Sequence, residues 1–171
     1  MTHSQSQTSI IQTSTGPIQG SIVNIDGSTV YQYLGIPYAK PPVGDLRFRK
    51  PLPIQPWSET LNANEMPPAC IQYAEYPFPW YDFQQGKSEN CLYLNVWVPG
   101  TKNINSKQIK KSVMFWLYGG GFAYGSIRKP VYDGRALAAV GDVIVVTINY
   151  RLGAFGFFTT NTDDAPVNVG K

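Results

Sequence analysis

Strand, glycine loop, helix and strand follow one another between Val113 and Tyr150, and that order predicts an α/β fold in which parallel strands are joined by a right-handed crossover. Two observations carry the prediction. The runs "VMFWLY" (Val113–Tyr118) and "DVIVVTINY" (Asp142–Tyr150) are almost continuously apolar, as expected of strands covered on both faces. Between them, "YDGRALAAVG" (Tyr132–Gly141) combines good helix formers with Asp133 as a candidate N-cap and Gly141 as a stop. A chain of 171 residues that is 43% hydrophobic, 13% aromatic and 15% charged has a globular composition and fits one domain or part of one.

Taken in order, residues 1–12 are polar and read as a disordered tail, so the domain is expected over 13–171. "IQGSIVNI" and "TVYQYLGIPYA" are rich in β-branched and aromatic residues and flank "DGS", which predicts a hairpin between Ile18 and Ala39. Pro41, Pro42, Pro51, Pro53 and Pro56 then remove amide donors and forbid helix, so Lys40–Trp57 is expected as an extended surface segment. "CLYLNVWVP" alternates Leu92, Leu94, Val96 and Val98 with Tyr93, Asn95 and Trp97 and reads as a strand. A polar connection follows before Val113. Its cluster Lys107, Lys110 and Lys111 is a solvated loop rather than a nucleic-acid footprint, in keeping with a net charge of only +3.

No apolar run approaches the length of a membrane-spanning helix, and "MTHSQSQTS" lacks the basic and apolar regions of a signal peptide. Cys70 and Cys91 do not have a zinc-ligand spacing, and the one histidine, His3, lies in the polar tail, so no metal site is expected. The two cysteines are either buried thiols or one disulfide closing a loop.

The glycines Gly119, Gly120 and Gly121 directly follow an apolar strand, where only glycine lets a ligand approach the main chain closely. A phosphate-cradling loop would need a Lys followed by Ser or Thr after the glycines, and none is there. A dinucleotide loop would need G-x-G-x-x-G, whereas Gly119, Gly121 and Gly125 are spaced G-x-G-x-x-x-G. The remaining reading is an oxyanion hole, in which adjacent amide N–H groups face an oxygen that gains charge during acyl transfer.

The segments "YLGIPYAKPPVGDLRFRKP", "SENCLYLNVWVP", "YGGGFAYGS", "INYRLGAFGF" and "APVNVG", in that order, resemble the type-B carboxylesterase and cholinesterase family from about Thr13 to Gly170. The resemblance implies the N-terminal portion of an α/β-hydrolase fold, comprising the hairpin and the first strands of the central sheet. It implies a serine carboxylic-ester hydrolase that acts on small-molecule esters without a cofactor, with no nucleic-acid partner and with room for a homodimer in a full-length form. Position by position, the oxyanion donors fall on the amides of Gly120 and Gly121, with Gly119 shaping the turn. Cys70 and Cys91 match a family disulfide, and Arg47 and Glu89 match an ion pair beside it. Trp116 and Tyr132 match aromatic positions near the family's acyl and choline sites, and Trp80 and Tyr81 are the nearest candidates for its choline-binding tryptophan. Asn90 and Val167 stand where the family usually carries Asp and Gly, and Ala123 where acetylcholinesterases show a tyrosine, which points to a general carboxylesterase. The paired cysteines favour a secreted or extracellular setting.

A serine esterase also needs a nucleophile, a histidine base and an acid. The sequence contains no G-x-S-x-G, and the resemblance puts the nucleophile elbow just past "NVG" and the remaining triad residues further downstream. The 171 residues are therefore expected to be truncated before the nucleophile elbow, to supply an oxyanion hole and to be inactive alone. Two alternatives have different consequences: a non-catalytic, neuroligin-like adhesion member, or a short isoform that binds a partner chain.

Overall fold

The structure is a computed structural model that describes residues 6–73, 86–100, 110–160 and Thr162. In chain order the strands are β1 (Ile11–Gln12), β2 (Pro17–Gln19), β3 (Ser21–Ile25), β4 (Ser28–Pro37), β5 (Leu61–Asn62), β6 (Ala69–Cys70), β7 (Lys87–Ser88), β8 (Tyr93–Pro99), β9 (Val113–Leu117) and β10 (Ile144–Ile148). The α-helices are α1 (Arg135–Gly141) and α2 (Gly153–Phe157). A mixed five-stranded sheet in the order β3-β4-β8-β10-β9 organises the chain, and two small sheets, β1-β2-β5 and β6-β7, flank it. Only β10 and β9 pair in parallel within the large sheet, with Ile144 opposite Val113 and Ile148 opposite Leu117.

The β3–β4 hairpin turns through Asp26 (φ 48°) and Gly27 (φ 80°), both left-handed, which matches the twist of the two strands. In β4 the register to β8 shifts between Tyr33 and Ile36. Gly35 (φ 72°) sits in this bulge and donates its N–H to Asn95 Oδ1 at 2.9 Å. Asn95 is fully buried on β8, and its Nδ2 donates in turn to Thr147 Oγ1 of β10 at 3.4 Å. One buried amide side chain thus ties β8 to both of its neighbours, with its own oxygen and nitrogen each paired.

On the same face of β8 as Asn95 lies Trp97, also fully buried, which packs with Val30, Leu34, Ala138 and Val145. Its Nε1 donates to Gln32 Oε1 at 3.1 Å. Helix α1 starts hard against this ring: a β-carbon on Gly134 would lie 2.5 Å from Trp97 Cε3. The N-cap is Gly134 rather than the expected Asp133, which stands one residue earlier; its Oδ1 still accepts from the Arg135 amide at 2.9 Å and so satisfies a first-turn donor. The stop falls one residue later than expected, because Gly141 is still helical and Asp142 takes the left-handed conformation (φ 50°).

Two further expectations are corrected. The first twelve residues do not form a tail throughout: Ser6 O accepts from Ile22 N at 2.7 Å, Gln7 bridges Ser21, Thr8 is buried, and β1 pairs with β2. Composition misleads there because ladder hydrogen bonds use the backbone, which polar residues offer as freely as apolar ones. Val113–Leu117 is not covered on both faces either: its five residues are 45–59% exposed, and among the described residues β9 is also the edge of the sheet. The Pro-rich segment is extended as expected, apart from one 3₁₀ turn at Gly44–Leu46, and ends with Trp57 Nε1 donating to Pro17 O at 3.0 Å. Among the described residues no helix is long and apolar enough to cross a membrane, and no group of side chains could hold a metal ion.

Candidate oxyanion site

Because β9 and β10 run parallel, their C-terminal ends lie together and the loops that follow emerge side by side. Tyr118 and Tyr150, the residues just beyond the two strands, stack with ring centroids 4.7 Å apart. Their hydroxyls donate reciprocally: Tyr150 to Tyr118 O at 2.7 Å and Tyr118 to Tyr150 O at 3.3 Å. Burial pushes both phenols above their ordinary pKa. Tyr38, also pushed up by burial, donates to Asn149 O at 2.7 Å. This aromatic floor belongs to a core with Cys70, Cys91, Leu92, Ile127 and Leu152, directly beneath the glycine loop.

Above the floor, Gly120 (φ 148°) and Gly121 (φ 60°) take conformations that side chains disfavour. Gly120 O accepts from the amides of Ala123 (3.1 Å) and Tyr124 (3.2 Å), which closes a tight turn. A β-carbon on Gly120 would lie 1.8 Å from Tyr124 O, so glycine is obligatory there, whereas the same atom on Gly121 would meet nothing. Among the described residues neither the Gly120 nor the Gly121 N–H donates a hydrogen bond. Phe122 anchors the far side: its carbonyl accepts from Gly153 N at 2.8 Å and its ring lies 4.9 Å from that of Phe157.

The neck of the loop is sewn to the segment Met66–Gln72 by side chains. Gln72 Nε2 donates to Gly125 O at 2.8 Å, while its Oε1 accepts from Gly125 N at 2.8 Å. Asn149 Oδ1 accepts from Ile127 N at 3.2 Å, and its Nδ2 donates to Pro68 O at 2.9 Å. Arg128 Nη1 donates to Met66 O (3.0 Å) and Pro67 O (2.9 Å). Gln72, Asn149 and Arg128 escape a reading of the sequence. The available signal is an amide or guanidinium among apolar neighbours, as in "PACIQY" and "VVTINY", where burial demands hydrogen-bond partners.

Cys70 and Cys91 form a disulfide with both residues buried. Beside it, Arg47 Nε and Nη2 donate to Glu89 Oε2 and Oε1, each at 2.6 Å, in a two-pronged pair. These hydrogen bonds hold the Glu89 carboxyl below its ordinary range and raise the Arg47 guanidinium. Trp116 and Tyr132 come together at 5.3 Å between ring centroids, on the α1 side of β9. They line an apolar cavity of about 290 Å³ with Met114, Leu137 and Val145. Trp80, Tyr81 and Val167 lie outside the described residues.

The two adjacent N–H groups, without an acceptor among the described residues, thus sit on a turn that requires glycine at Gly120. Comparison with known proteins gives this geometry its setting. The model of the carboxylesterase family matches residues 7–171. Acetylcholinesterase-1 of Trittame loki is 46% identical over 162 residues, the cholinesterase of Mus musculus 45% over 168, and the acetylcholinesterase of Electrophorus electricus 44% over 168. Each alignment takes in 94% of this chain but only 29%, 27% and 26% of the respective relative, so the chain spans less than a third of their length.

Proposed function

Because the chain belongs to the carboxylesterase family, we propose that residues 113–126 supply the oxyanion-binding part of a serine carboxylic-ester hydrolase. The observation that carries the proposal is the pair of N–H groups at Gly120 and Gly121 that find no acceptor among the described residues, on a turn where a β-carbon at Gly120 would meet a carbonyl oxygen. In this reading a serine attacks the ester carbonyl and forms a tetrahedral intermediate. The two amides hold its oxyanion; collapse breaks the ester C–O bond and expels the protonated alcohol, leaving an acyl-enzyme that water hydrolyses to the carboxylic acid and free serine. Loss of one such donor lowers turnover by roughly a hundred- to a thousandfold in enzymes of this type. The substrate is a small-molecule ester; the names of the relatives add choline esters to the range to be tried. The cavity beside Trp116 and Tyr132 is the candidate for an apolar part of such an ester.

The 171 residues contain neither G-x-S-x-G nor a histidine outside the N-terminal "MTHS", so triad chemistry needs groups from outside them. Purified chain is therefore expected to leave an aryl acetate unhydrolysed beyond a heat-denatured control. Turnover that a serine-directed phosphonate abolishes would contradict this. A product of the same transcript that reads on through a G-x-S-x-G element is expected to be active, and a substituted serine at that element would show a binding protein instead.

A further inference from the structure

The glycine loop is only as well placed as its neck, and the neck carries no strand pairing of its own. Gly125 closes the loop at φ 134°, where a β-carbon would lie 2.3 Å from the ring of Tyr118 and 3.2 Å from Gly119 O. Its position along the main chain thus sets how Gly119, at the other end of the loop, leaves β9. Both polar backbone atoms of Gly125 are taken by one side chain, since Gln72 donates to its carbonyl and accepts from its amide, each at 2.8 Å. Two residues that exchange both hydrogen bonds form the narrow unit of an antiparallel ladder, and here a side-chain amide stands in for one of them. Gln72 is 8% exposed, and Nε2 also donates to Cys70 O at 3.0 Å, so the amide cannot rotate without breaking three bonds. The bond to Cys70 ties this amide to the disulfide. The further ties run in antiparallel order: residue 68 is joined to 127 through Asn149, and residues 66 and 67 are joined to 128 through the guanidinium.

We infer that Gln72 is a positioning residue for the oxyanion loop, transmitting the fixed geometry of the Cys70–Cys91 disulfide to Gly125 and so to the Gly120 and Gly121 amides. It touches no reacting atom. The inference rests on the proposed function for its catalytic meaning, but the coupling of Gln72 to the loop stands apart from it. Gln72→Met keeps the length and apolar bulk of the side chain and removes all three bonds. Gln72→Glu keeps an acceptor for the Gly125 amide but faces two carbonyl oxygens with no donor.

Hydrogen exchange followed by mass spectrometry, on the 171-residue chain and its two variants, reads the coupling without any ester. Both variants are expected to exchange at least roughly tenfold faster over residues 119–126, since Gln72→Met loses three hydrogen bonds and Gln72→Glu two. Strands β8 and β10 should keep the protection of the parent chain. Unchanged exchange over 119–126 overturns the inference, and so does equal loss across β8 and β10, which would make Gln72 a general stabiliser. In an active product carrying the nucleophile, Gln72→Met should lower kcat roughly ten- to a hundredfold with KM held within about twofold, as a displaced donor predicts. Parent-like kcat, or a rise confined to KM, overturns the positioning role. If the parent product hydrolyses no ester, the proposed function fails while the exchange result still decides the coupling.

Discussion

Gly120 and Gly121 are neighbours with the same side chain and different reasons for it. At Gly120 an added β-carbon collides with Tyr124 O, while at Gly121 the space is open and only the left-handed φ of 60° resists substitution. Gly121→Ala should therefore cost about 1 kcal/mol, the ordinary penalty of that conformation. Gly120→Ala should cost upward of about 2 kcal/mol, because the turn itself must open. Urea midpoints at constant slope measure both, and equal shifts would contradict the order. A glycine turn after the strand is legible in the sequence because its backbone requirement is local. Gln72 is not, since its partner lies 53 positions away and a single glutamine carries no periodicity. The Arg47–Glu89 pair, 42 positions apart, follows from the family resemblance and not from its spacing.

At the scale of elements, the hairpin, β8, α1 and β10 could be read from turn chemistry and apolar runs, which act over a few residues. What such runs cannot tell is whether a strand ends up inside the sheet or at its edge. "VMFWLY" has the composition of a central strand, yet β9 has β10 on one side and no strand beyond it among the described residues. With Val113, Met114, Phe115, Trp116 and Leu117 all about half exposed, the edge offers unpaired backbone groups amid apolar side chains, a template for association with other chains. The isolated 171-residue chain should therefore self-associate in sedimentation velocity. Phe115→Lys, which sets a charge on that edge, should raise the concentration needed roughly tenfold. A monodisperse parent chain at high concentration would refute the prediction.

For the whole molecule, the sequence predicts the hairpin and the parallel unit but not how they join, because β4 and β8 pair across more than fifty intervening residues while every local signal stops at the next turn. The disulfide acts on that scale too: with a separation of 21 residues, chain-entropy arguments give it about 3 kcal/mol. Cys70→Ser combined with Cys91→Ser should lower stability by about that amount in chemical denaturation, and reductant should leave the double variant unaffected. The parallel pairing of β9 with β10 has a consequence in time. During synthesis β9 leaves the ribosome before α1 and β10 do, and β10 is its only partner strand among the described residues. At about 5–20 residues per second, Val113–Leu117 stays unpaired for roughly one to five seconds in every round of translation. The most apolar strand of the sheet is thus left bare on the nascent chain until β10 arrives.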